Sequence, residues 1–155
     1  MALRNNTLTY GSVAKFFHWL LALMIVCLLL IGLTLAEMTP SPDKLRLIGL
    51  HKGFGIVVLF LAAARVVWRF RNVVPLLPFG MPRWQKWAAD ASHFLLYFFM
   101  FAMPLSGWGM SSAAGYTVSV FGWFTMPNLV EPNPQWRDFF REAHELMAWG
   151  LIAMI

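Results

Sequence analysis

The chain has 155 residues, 59% of them hydrophobic and 12% charged, with a net charge of +5 and a mean hydropathy of +0.63. A soluble domain carries about 25% charged residues, so a water-soluble globular protein is excluded. Gly and Pro are scattered rather than clustered, which excludes a low-complexity tract, and the single cysteine, Cys27, excludes an internal disulfide and a CxxC site.

A helix needs roughly 20 apolar residues to cross the hydrocarbon core. The first such run covers about 16–36 and holds no charge. Lys15 precedes it, and its apolar length exceeds that of a signal peptide, so it reads as a retained span. The second covers about 47–68, with Lys52 near its start and Arg65 near its end. Pro75, Pro78 and Pro82 then forbid a continuous helix. The third covers about 91–110 and contains Pro104 and Gly107, which a membrane helix tolerates where its neighbours cover the freed backbone groups. The stretch 111–136 carries Trp123, Phe124, Pro127, Pro132 and Pro134, and is expected as an interfacial loop or a short amphipathic helix. The fourth span begins near Phe139 or Ala143 and is expected to be incomplete, because 143–155 is too short to cross. The fold class expected is all-α: a single domain over 1–155, a transmembrane four-helix bundle with spans at 16–36, 47–68, 91–110 and 139–155.

An N-terminus on the cytoplasmic side puts Arg4, Lys15, Arg65, Arg69, Arg71, Arg83 and Lys86 inside. Lys44, Arg46, Lys52, Arg137 and Arg141 then lie outside, with nearly all the acids. Lys and Arg collect on the cytoplasmic side of membrane proteins, so this orientation is expected. No basic and aromatic interleaving in a soluble segment argues for nucleic acid.

The four histidines, His18, His51, His93 and His144, fall on four different spans. Ionisable residues inside spans are costly and mark functional sites. Alternating span direction sorts them into two levels: His51 with His144 on the outer side, His18 with His93 on the cytoplasmic side. Neutral imidazoles from facing helices suit the two axial positions of a haem iron. Zinc is less well served, because neither level adds Cys, Asp or Glu as further ligands. Gly55 lies one turn after His51 and leaves a gap on its face for a flat ring. Ordinary small-residue helix packing explains Gly55 equally well.

At His18-Trp19, at HKGFG from His51, and at His144-Glu145, the sequence resembles the bacterial cytochrome b561 family. So do Arg65 and Arg69 at the end of span two, and His93, Tyr97, Pro104 and Gly107 in span three. The resemblance implies a small inner-membrane cytochrome with two haem b groups. It implies His51 and His144 as the ligand pair of the outer haem and His18 as the first ligand of the cytoplasmic-side haem. The partner of His18 would be a histidine about 14 residues, or about 21 Å of rise, beyond His144, which falls just past Ile155. Level alone pairs His18 with His93; the resemblance instead leaves His93 beside the site or at a quinone site.

Arg65, Arg69 and Arg71 are placed to meet haem propionates, although an anchor at the cytoplasmic boundary is the simpler role. Glu145 is a candidate hydrogen-bond acceptor near the outer site. The function expected is single-electron relay across the membrane, with ubiquinone or another quinone as one partner and an outer donor or acceptor as the other. Some family members resemble a superoxide oxidase, which would make superoxide that donor. An anchor subunit docked to a dehydrogenase or hydrogenase, and a haem-free structural or transport bundle, are the alternatives.

Overall fold

A computed structural model describes residues 2–77 and 79–155 of the chain. Its elements are α1 (Ser12–Glu37), α2 (Pro42–Phe70), α3 (Arg83–Ala113), β1 (Val118–Val120), β2 (Phe124–Met126) and α4 (Pro134–Met154). α1, α2 and α3 are long and apolar enough to cross a membrane. At 26 residues, α1 is about 39 Å long. Each helix overruns its apolar stretch, because helical backbone continues into the polar flanks.

Local chemistry sets the helix starts. Ser41 accepts a hydrogen bond from the Lys44 N–H at 3.2 Å, Pro42 supplies a pre-set φ, and Asp43 sits in the first turn of α2. Asn133 does the same for α4, accepting from the Gln135 and Trp136 N–H groups at 2.9 and 3.1 Å, with Pro134 next. This cap corrects the expected start near Phe139 or Ala143: α4 begins at Pro134 and runs 21 residues. Its first half is polar, which hid it from a search for apolar runs. Between α2 and α3 the chain leaves helix after Phe70, as Pro75 and Pro82 require; Pro78 lies outside the described residues.

The region 111–136 is neither a plain loop nor a helix. α3 extends to Ala113, and an antiparallel hairpin follows, pairing Val118 with Met126 and Val120 with Phe124. The turn closes with Trp123 N–H donating to the Val120 carbonyl at 3.0 Å. Its central residues, Phe121 and Gly122, both have positive φ, 53° and 78°, as a hairpin turn of the mirror type needs. For Phe121 this costs about 1–3 kcal/mol, offset where its ring packs on Gly53.

α1 packs on α2, α2 on α3 and α3 on α4, while α1 and α4 form no extensive contact. Leu21, Val58, Ala62 and Met100 make one core where the first three helices meet. Ile56, Val118, Val120 and Trp108 make a second under the hairpin. Elsewhere large apolar side chains such as Leu23, Leu30 and Phe60 face outward, as lipid-facing residues do.

Candidate functional site

His51 on α2 and His144 on α4 face each other, although α2 and α4 form no extensive contact of their own. Their ring centres are 6.3 Å apart, with the planes at 72°. Two imidazoles bound to one metal ion from opposite sides, each nitrogen about 2 Å from it, hold their centres about 6 Å apart. The observed separation therefore fits a shared axial pair.

His144 is held in one tautomer. Its Nδ1 lies 3.0 Å from the Met103 carbonyl oxygen and 2.9 Å from Ser106 Oγ, and Ser106 Oγ donates to the same carbonyl at 2.8 Å. A carbonyl only accepts, so Nδ1 carries the proton and donates, and Nε2 keeps its lone pair for a metal. His51 contrasts with this: its Nδ1 is buried without a hydrogen-bond partner. Both rings are backed by glycine. A Cβ on Gly32 would lie 3.5 Å from His51 Cε1, and one on Gly107 would lie 3.2 Å from His144 Cε1. Beside Gly55 the space is open, with nothing within 4 Å of an added Cβ. A flat macrocycle needs such an opening.

At the opposite end, His18 and His93 are both exposed. Arg65 Nη1 donates to His18 Nδ1 at 3.3 Å. The Arg65 and Arg69 guanidinium carbons lie 5.8 and 5.9 Å from the Tyr97 ring centre. These cations meet no carboxylate: the ion pairs among the described residues are Arg137 and Arg141 with Asp138. Among the described residues no three His, Cys, Asp or Glu side chains converge as a metal cluster.

One expectation changes. The Glu145 side chain is exposed and makes no hydrogen bond among the described residues; Met103 and Ser106 hold His144 instead. Lys52, next to His51, lies over the Tyr116 ring, 5.6 Å from its centre. Sequence reasoning missed Ser106 and Gly32. The available signal for Ser106 was a serine deep in an apolar span, two residues after Pro104.

Facing histidines on separate membrane helices suit the class of membrane electron-transfer haem proteins. Residues 9–155 match the prokaryotic cytochrome b561 family, and the chain belongs to that family. It is similar to "Cytochrome b561 homolog 2" of Escherichia coli K12, 31% identical over 99% of this chain and 82% of that protein. It is also similar to "Cytochrome b561 homolog 1" of the same organism, 27% identical over 90% of this chain and 79% of that protein. The family implies b-type haem and a bacterial multi-pass membrane protein.

Proposed function

We propose that His51 and His144 are the axial ligands of one haem b, that His18 is a ligand of a second, and that the protein relays single electrons to or from a quinone. The observation that carries this reading is the His51–His144 pair: ring centres 6.3 Å apart, with the Nδ1 proton of His144 held by Met103 and Ser106. When bound, haem supplies a one-electron couple inside the bilayer.

The chain's own residues supply the rest. Met103 and Ser106 orient the His144 ring and leave Nε2 bare. Gly32 and Gly107 let the helix backbones approach the two imidazoles, and Gly55 leaves room for the face of the macrocycle. At the other end, Arg65 and Arg69 offer positive charge for a propionate, and His93, on α3 at the same level as His18, is the residue assigned to the quinone side. Dense basic residues around that end support a cytoplasmic N-terminus, which places the His51–His144 pair toward the outer face. Reducing a quinone to quinol takes two such electrons and two protons.

The test is the reduced-minus-oxidised spectrum of the purified protein with its haem, in wild type and in His51→Ala, His144→Ala and His18→Ala. A b-type spectrum that each variant diminishes supports the assignment; an unchanged spectrum in His144→Ala overturns it. Two donors are separated by a second assay. Superoxide-dependent ubiquinone reduction by the protein alone selects superoxide. Reduction only with a co-purified dehydrogenase selects a docked partner.

A further inference from the structure

Residues 2–11 precede α1 and supply no histidine, yet they form a folded segment. Burial does not hold it, because Leu3 and Leu8 are 68% and 82% exposed. Hydrogen bonds do. Asn6 Oδ1 accepts from the Leu8 and Thr9 N–H groups at 2.9 and 2.6 Å, and Asn6 N–H donates to the Thr9 carbonyl at 3.0 Å, which closes a tight turn. Asn5 Oδ1 accepts from Gly11 N–H at 2.9 Å, and Ser12 N–H donates to the Ala2 carbonyl at 3.0 Å. That last bond satisfies an N–H at the start of α1, where Gly11 offers no capping side chain. Glycine is needed there for space: a Cβ on Gly11 would run into the Leu3 and Arg4 carbonyls.

The folded segment is then tied to a distant part of the chain. Asn5 Nδ2 donates to the Val73 carbonyl at 2.8 Å, and Leu76 N–H donates to the Thr7 carbonyl at 3.0 Å. Val73 and Leu76 follow the end of α2 at Phe70. Asn5 is the hinge of this arrangement. Its acceptor holds the start of α1 and its donor holds the exit of α2, a pairing that needs an amide side chain.

These are the helix ends that carry His18 and Arg65. His18 lies six residues after Ser12, about 9 Å along the axis, and Arg65 lies five residues before Phe70. Past His18, the first buried residue of α1 is Leu21, in the core with Val58 and Ala62. Between Ser12 and Leu21 the helix exposes Phe16 and Trp19, so apolar packing grips it little there. His18 is thus suspended between two supports, the Leu21 core on one side and the tied segment on the other.

We propose that segment 2–11 is a clasp that sets the position of the His18 imidazole, with Asn5 as the positioning residue. The proposal rests on the reading of His18 as a haem ligand. A helix gripped at Leu21 alone is free to tilt and turn about that point. A second grip at Ser12, anchored through Asn5 to the exit of α2, removes that freedom and keeps His18 facing Arg65, 3.3 Å from its Nη1. Supports outside a ligand fix the ring orientation that its metal sees.

The full-length protein with its haems tests this. In Asn5→Ala, the haem that His18→Ala removes should pass to apomyoglobin several-fold faster than in wild type. Its low-spin electron paramagnetic resonance signal should also shift, because that signal reports the orientation of the axial imidazoles. The haem lost in His144→Ala should keep its wild-type signal and transfer rate. Asn5→Asp is the milder variant if Asn5→Ala holds neither haem: it keeps the acceptor for Gly11 N–H, loses the donor to Val73, and should change the same haem in the same direction. An unchanged signal and rate for the His18 haem overturns the clasp and leaves the reading of His18 intact. Equal loosening of both haems also overturns it, since a general loss of stability would act on both. If His18→Ala removes no haem, the reading of His18 falls and the clasp falls with it.

Discussion

The two ends of the bundle hold their histidines differently. At the His51–His144 end, α3 fixes the proton on His144 Nδ1 through a carbonyl and a hydroxyl, and two glycines back the rings. At the His18 end, Arg65 donates to His18 Nδ1. That contact makes Nδ1 the acceptor and leaves the ring proton on Nε2, the opposite tautomer. His144 is oriented by its own scaffold. His18, in the proposed reading, would have to exchange an arginine contact for a metal bond. Preorganisation is thus a property of the surrounding helix, not of the histidine itself.

The strongest way to break this comparison is to delete ligands one end at a time. His144→Ala should abolish one haem, measured as haem per protein by pyridine haemochrome, and leave the other spectrum intact. His18→Ala should do the converse. A steric version comes next. Gly107→Val puts methyl groups where His144 Cε1 lies 3.2 Å from a mere Cβ, and should lower occupancy of that haem several-fold without affecting the other. Arg65→Gln sharpens the opposite end. With the competing donor gone, the His18 haem should transfer to apomyoglobin a few-fold more slowly; faster transfer would instead show that Arg65 grips a propionate. The smallest effect is expected for Ser106→Ala. Losing one of two acceptors on Nδ1–H removes about 1 kcal/mol, or about 40 mV for a one-electron couple. The potential should move upward, because the oxidised iron loses electron density from its ligand. Redox titration should show that shift in one haem only, and Ser106→Thr should reverse it.

Much of this arrangement was legible from residue order. The three apolar helices follow from run length. His51 and His144 share a level because successive spans alternate in direction, and Gly55 falls on the His51 face by helical spacing. What was not legible depends on contacts between distant segments. Ser106 meets His144 only once α3 and α4 have packed, and nothing local to either residue foretells it. The hairpin is a different case: Val118, Val120 and Phe124 alternate around a glycine turn, but their aromatic neighbours read as interfacial. The start of α4 was also present in the chain, as Asn133-Pro134. It was obscured because a capping signal is polar while the search there was for apolar length.

The open seam between α1 and α4 bears on how the molecule is made. Each helix packs on the one before it, so a chain emerging into the membrane can pair every new span with its predecessor at once. No late span has to find an early one. The seam between first and last helix is bridged by the imidazole of His51, with Gly32 of α1 behind it, facing His144 of α4. If His51 and His144 share a haem, insertion and ring closure become separable events, the second governed by cofactor supply rather than by translation. A cell starved of haem should accumulate a correctly threaded but splayed protein, which limited proteolysis of membranes would detect as cleavage at the loop ends of α1 and α4.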